Sequence, residues 1–251
     1  MTGPQLLDTE QEREEEYEVI QAGSTTENIA YSQDVMTDRF RFLRTHLRRL
    51  WDADKLKTLL ITSPFPHDGK STVALNLAIS LSEGGNRKVL LIEADLHHPT
   101  VTNRLGLTLR MVKGFADCLQ GDANVSSVIR RIEPIGIYLL SGGKPCAHPS
   151  ELLQSDALAR MIRSLRERFD WVLIDSPPVT PLSDALLLRQ QTDATLLVIR
   201  SGYTTIPAVD KAVAMLGKKN IAGMILNGVE GLEKTYSQYY GVYGGQNLKL
   251  N

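Results

Sequence analysis

Two periodicities alternate along this chain. Short runs of aliphatic and β-branched residues start at Thr58 and recur at 88–92, 136–140, 171–174, 194–199 and 221–226. Between them, apolar residues return at helical spacing over 71–82, 151–169, 183–191 and 206–216. Strands apolar on both faces, alternating with helices, predict a parallel sheet covered on both sides. Ahead of the first strand, Phe40, Leu43, Leu47 and Leu50 share one face of a helix over about 37–51, with Thr37 or Asp38 to cap its start. Shorter elements are expected at 114–119 and 125–132. The pattern is that of a three-layer α/β domain with a mostly parallel central sheet, whose site lies at the carboxyl ends of the strands. It divides the chain into an acidic arm (1–27, with a Glu-rich run near 10–16 that reads as solvated and disordered), a main domain (28–230) and a short tail (231–251).

The first strand runs through a tight turn into Gly69-Lys70-Ser71-Thr72, and the helical pattern begins there. Strand, loop and helix in that order form a phosphate cradle. Backbone N–H groups at the helix start point at the anion, and the helix dipole favours its charge. Lys70 would reach the terminal phosphates and the Ser71 hydroxyl a Mg²⁺ ion, while Gly69 lets the backbone approach closely. Pro64 stands where the usual leading glycine would be. An ordinary helix start with an exposed lysine carries the same tripeptide, and it is the flanking strand and helix that point to a nucleotide.

Acidic residues end two of the strands. Glu93 and Asp95 follow Leu90-Leu91-Ile92, and Asp175 follows Val172-Leu173-Ile174. In a parallel sheet these ends share the edge that carries the loop, where carboxylates repel unless a cation lies among them. Each alone could equally cap a helix or turn; together beside a phosphate loop they suggest Mg²⁺ held through phosphates and carboxylates.

Composition narrows the class further. A chain of 251 residues with 42% hydrophobic content can bury a sizeable core. Its net charge of −1 lacks the basic footprint of a nucleic-acid binder. Cys118 and Cys146 match no metal spacing. No apolar run approaches the roughly 20 residues needed to span a bilayer, and no signal pattern opens the sequence, so a cytoplasmic protein is expected.

Several of these segments together resemble the bacterial tyrosine kinases that control capsule and exopolysaccharide synthesis, a family similar in fold to the MinD/ParA class of P-loop NTPases. Residues 63–72 look like the family's Walker A loop, 91–100 like its second acidic motif, and Ile174-Asp175-Ser176-Pro177-Pro178 like its Walker B. Gly114-Phe115-Ala116-Asp117-Cys118-Leu119 and His148-Pro149-Ser150-Glu151-Leu152-Leu153 match as well, and the likeness extends from about 38 to 229. The resemblance implies ATP bound by Pro66, His67, Asp68, Gly69, Lys70, Ser71 and Thr72, with Asn227 near the adenine. It implies Mg²⁺ held by Ser71, Glu93 and Asp175, and Lys70, Asp95 and Asp175 as the catalytic residues. Tyr236, Tyr239, Tyr240 and Tyr243 match the family's C-terminal autophosphorylation cluster; a Gly- and Tyr-containing tail can also simply pack or be disordered. Asp38, Arg41 and Arg44 match its oligomerisation motif, and their spacing also suits local i,i+3 pairing. The implied partners are further copies of the chain, a separate membrane-embedded chain-length regulator that recruits the protein to the inner face of the membrane, and a tyrosine phosphatase.

Departures from the family pattern bear on activity. Phe65 occupies the position of the extra lysine that MinD/ParA ATPases pass across a dimer, which disfavours a dimer of that kind. His67 replaces a loop glycine, and Glu93 an aspartate, adding a methylene where about an ångström of displacement can cost roughly 10²-fold in rate. On that reading, an aspartate at 93 should speed transfer. His97 and His98 stand where the family often has arginines. The reading is an autokinase, with two rivals: an ATP-binding scaffold that has lost transfer, or a partitioning-type ATPase.

Overall fold

The computed structural model describes residues 17–23, 34–54, 56–107, 112–180 and 182–229. Eight strands form one sheet: β1 (Glu18–Gln21), β2 (Thr58–Thr62), β3 (Val89–Glu93), β4 (Arg130–Glu133), β5 (Ile137–Leu140), β6 (Trp171–Asp175), β7 (Ala194–Arg200) and β8 (Ile221–Asn227). Their order is β1-β4-β5-β3-β6-β2-β7-β8, parallel at every junction except β4–β5. The helices are α1 (Asp34–Asp54), α2 (Lys70–Ser82), α3 (Val101–Arg104), α4 (Phe115–Gln120), α5 (Val125–Val128), α6 (Pro149–Leu153), α7 (Asp156–Arg168), α8 (Asp184–Arg189) and α9 (Ile206–Leu216).

Alternation along the central strands builds the layers. Leu59, Ile61, Leu91 and Leu173 pack on one face with Leu47 of α1 and Leu75 and Leu77 of α2. Leu60, Leu90, Ile92, Val172 and Ile174 pack on the other with Leu158, Met161, Ile162 and Leu165 of α7. Burying each such side chain contributes about 1.5–3 kcal/mol, so the middle of the sheet carries much of the stabilising core. From β2 the chain crosses through α2 to β3 on one side; from β6 it passes through α8 to β7 on the other. That reversal opens a crevice at the carboxyl ends of β2 and β6, where ligands bind in open α/β sheets.

The structure departs from the sequence pattern in four places. Residues 18–21 were expected in a disordered arm and instead pair in parallel with β4 at the sheet edge. Tyr17 packs its ring against Tyr138 and Phe169, with centroids 5.0 and 6.1 Å away, and Arg168 donates to its hydroxyl. Ile20 joins the core beside β4, a contribution that the surrounding glutamates hide in the sequence. The helical pattern over 151–169 breaks into α6 and α7, because Ser155 has an extended backbone (ψ 149°). The segment 125–132 is α5 followed by β4, which turns back antiparallel onto β5. Finally, α1 begins at Asp34, so Thr37 and Asp38 lie inside the helix rather than capping it. Among the described residues, no helix is long and apolar enough to cross a membrane.

Candidate nucleotide-phosphate site

β2 delivers the chain to the loop at the crevice, and α2 starts at Lys70. Gly69 has φ 97°, and a Cβ there would lie 2.0 Å from Nδ2 of Asn227, so glycine is required twice over. His67 has φ 66°, the left-handed conformation expected where the family carries glycine. The loop is held by side chains. Asp68 is fully buried; its Oδ2 accepts from the Phe65 N–H at 2.9 Å and its Oδ1 from the Thr204 hydroxyl at 2.7 Å. Arg200 donates to the His67 carbonyl at 3.1 Å, and Asn227 Nδ2 to the Asp68 carbonyl at 2.9 Å. The carboxyl ends of β7 and β8 and the β7–α9 turn therefore brace the loop from behind. No side chain caps the start of α2 and its first turn has no acidic residue, so its N–H groups remain available to an anion.

Lys70 lies in this start, its Nζ 2.7 Å from Asp95 Oδ2 and 3.4 Å from Ser71 Oγ. The other Asp95 oxygen accepts from the His98 N–H at 3.0 Å. Asp175 is fully buried, and neither of its carboxylate oxygens has a hydrogen-bond partner of ordinary geometry among the described residues. Burial raises its pKa to about 7; Lys70 and Ser71 nearby oppose the rise, while Asp95 and Glu93 add to it. An orphaned buried carboxylate beside a hydroxyl is a cation-seeking arrangement, and the two hard oxygen donors of Ser71 and Asp175 fit Mg²⁺. Lys70, Ser71 and Asp95 open onto a cleft of about 680 Å³, lined also by Pro66, His67, Gly69, His97, His98 and Arg104.

Glu93 is placed differently from the expectation. Although its backbone lies opposite Asp175 across β3 and β6, its carboxylate is taken up by Thr102 and Gly142. Oε1 accepts from the Thr102 N–H at 3.2 Å; Oε2 accepts from Thr102 Oγ1 at 2.6 Å and the Gly142 N–H at 3.1 Å. The extra methylene carries the group to α3, into a small crevice with Asn103 and Ser141, and away from the cleft that Asp95 and Ser71 line. Glu93 thus ties β3 to α3 and the turn after β5, whereas the expectation set it among the metal ligands.

Other expected residues also find local partners. Asn227 Nδ2 donates to the Asp68 carbonyl of the loop, and the expectation set this residue near the adenine. Arg41 pairs with Asp38 at 3.0 Å along the same helix, and Arg44 donates to the Ser80 carbonyl of α2 at 2.8 Å. Tyr236, Tyr239, Tyr240 and Tyr243 lie outside the described residues. Sequence reasoning missed Thr204, Arg200 and Asp184; the first two meet the loop from more than 130 positions away, and no local pattern marks them.

A parallel sheet with this loop at its switch point defines a P-loop ATPase-type domain, and residues 68–226 match the AAA domain family. Tyrosine-protein kinase YwqD of Bacillus subtilis is 31% identical over 207 residues, 82% of this chain and 86% of its own. Tyrosine-protein kinase ptk of Acinetobacter johnsonii is 29% identical over 80% of this chain, which spans only 27% of that relative's length. Among solved structures, the kinase domain of Escherichia coli tyrosine kinase ETK superposes with a TM-score of 0.73 and 30% identity, over 77% of this chain and 75% of that one. The septum site-determining protein MinD of Pyrococcus horikoshii, solved with Mg-ADP, gives 0.58 and 27% identity over 68% and 69%. The chain belongs to the bacterial tyrosine-protein kinase family, within the MinD/ParA-like P-loop ATPases.

Proposed function

We propose that this protein is an ATP- and Mg²⁺-dependent tyrosine autokinase of a capsule or exopolysaccharide system, and that its substrates include its own Tyr236, Tyr239, Tyr240 and Tyr243. The observation that carries this reading is the buried, unpartnered Asp175 carboxylate beside Ser71 and the Lys70–Asp95 pair. Such a site is incomplete until a phosphate and its cation enter it. The N–H groups opening α2 hold the phosphate oxygens, and Lys70 moves from Asp95 to the β- and γ-phosphates. Ser71 and Asp175 would hold Mg²⁺, which neutralises charge on those phosphates. Asp95, still fixed by the His98 N–H, orients the tyrosine hydroxyl and takes its proton. The tyrosyl oxygen then bonds to the γ-phosphorus; the bond to the β–γ bridging oxygen breaks and its electron pair leaves with ADP.

The same reading places the protein on the inner face of the membrane beside a membrane-embedded chain-length regulator, as an oligomer reset by a tyrosine phosphatase. The diversion of Glu93 to Thr102 supports a second reading, an ATP-binding regulator without transfer. Labelled Mg·ATP and phosphotyrosine mapping separate the two. Tail labelling that disappears in Lys70→Ala, with the fold intact by circular dichroism, is the expected result. Binding without labelling favours the regulator, and unchanged labelling in Lys70→Ala removes the proposed site.

A further inference from the structure

One side-chain relay in the cleft has no part in the reaction just described. His97 lines the same cleft as Lys70 and Ser71. Its Nε2 lies 2.9 Å from Oδ2 of Asp184, and Oδ1 of Asp184 accepts from the Ser150 hydroxyl. The Asp184 side chain is 1% exposed and that of His97 31%. The relay thus has a buried charge at one end and a cleft-facing ring at the other. Asp184 opens α8, Ser150 belongs to α6 and His97 to the loop after β3, so three separate segments converge to aim one imidazole.

Such an arrangement fixes the ring chemically. An ionised, buried Asp184 needs donors; Ser150 supplies one and the His97 Nε2–H the other. Nδ1 then remains without a hydrogen-bond partner among the described residues. Neutral, Nδ1 offers a lone pair; protonated, it offers an N–H carrying positive charge. Asp95 already supplies a proton acceptor in this cleft, whereas the charge spread over a transferring phosphoryl group calls for further donors.

We propose that His97 is a further catalytic residue of the transfer, its Nδ1–H contacting a non-bridging oxygen of the moving phosphoryl group, with Asp184 and Ser150 as its positioning residues. The inference rests on the kinase reading above. His97 exchanges no proton in the step: the tyrosyl proton still passes to Asp95, and the imidazolium only stabilises charge. Donation from both ring nitrogens requires the protonated ring. The other charged or titratable groups lining this cleft are His67, Lys70, Asp95, His98 and Arg104. Burial raises the pKa of the Cys146 thiol, and the Asp184 charge adds to the rise.

The test uses the full chain, measuring kcat for tyrosine phosphorylation and KM for ATP at one fixed pH. His97→Ala should lower kcat by about 10²-fold, as loss of one well-aimed donor does, and change KM much less. His97→Arg, a permanent cation, should recover most of the rate. Ser150→Ala should lower kcat several-fold with ATP binding unchanged, a check that remains if Asp184→Asn fails to fold. Wild-type kcat in a folded His97→Ala protein overturns the inference. So does a folded His97→Arg protein that binds Mg·ATP yet is no faster than His97→Ala, since a permanent cation would then not replace the ring. A wild-type chain that binds Mg·ATP and labels no tyrosine overturns the kinase reading itself, and this inference with it.

Discussion

Glu93 shows how a single methylene redirects a residue. The sequence places an acid at the end of β3, and the structure agrees, but the longer side chain reaches Thr102 and Gly142 in place of the cleft. An aspartate would fall short of both donors and leave buried N–H and O–H groups unsatisfied. Glu93→Asp should therefore lose about 1–3 kcal/mol in urea unfolding and gain no transfer rate. A faster, equally stable variant would return Glu93 to the metal site. Asp175 supports a pH prediction. Burial pushes its pKa in the folded protein up to about 7, from the ordinary carboxylate value of 3.8. Between those values the folded state binds a proton that the unfolded state has released. The contribution to stability is therefore fully present below the lower value, and is lost as pH rises through about 7. Asp175→Asn should flatten that decline and raise the melting temperature of the nucleotide-free protein at alkaline pH while abolishing transfer. A pH–stability curve that still falls as in the wild type would assign the decline to another group. Neither fact was legible in the sequence, because carboxylate environment depends on partners such as Gly142, 49 positions from Glu93.

At the scale of elements, the strands and the P-loop were legible because each announces itself locally: aliphatic runs too short for helices, then Gly69-Lys70-Ser71 at a helix start. What escaped were features set by distant contacts or by one backbone angle. β1 is four residues long among glutamates and exists by pairing with β4. The break at Ser155 interrupts a helical pattern that reads continuously across it. The loop brace is the functional example. Asp68 looks in sequence like one more phosphate-loop residue, yet it is buried between the Phe65 N–H and Thr204. Thr204→Val keeps the shape and removes the hydroxyl that satisfies Asp68. It should weaken ATP binding by about tenfold, the equivalent of roughly 1.4 kcal/mol, because the loop must then be ordered by the ligand. Isothermal titration of Mg·ATP against the variant measures this, and an unchanged affinity would show that the loop holds its form without the β7–α9 turn.

At the scale of the whole molecule, the question is whether one copy phosphorylates another. The helix expected to join subunits, α1, has its arginines partly spoken for: Arg44 braces α2 through Ser80, and Arg41 pairs with Asp38. Arg44→Ala would therefore confuse lost stability with lost assembly. Phe42, between them in sequence, is 80% exposed and is the better probe, since replacing it removes little of the chain's own packing. If α1 brings subunits together, a tail tethered near a neighbour's Lys70 experiences roughly millimolar local enzyme whenever the linker spans the gap. Phosphates added at Tyr239, Tyr240 and Tyr243 each bring about −1.5 to −2 charges, which repel one another and loosen the assembly. Mixing two variants tests the arrangement directly. Lys70→Ala subunits keep the tail tyrosines but cannot transfer; subunits with Phe at 236, 239, 240 and 243 can transfer but cannot be labelled there. Tail labelling should appear only in the mixture, and placing Phe42→Ser in both partners should reduce it together with the mass seen by light scattering. A mixture that stays unlabelled while the wild type labels itself would confine transfer to a single chain, the tail reaching its own cleft.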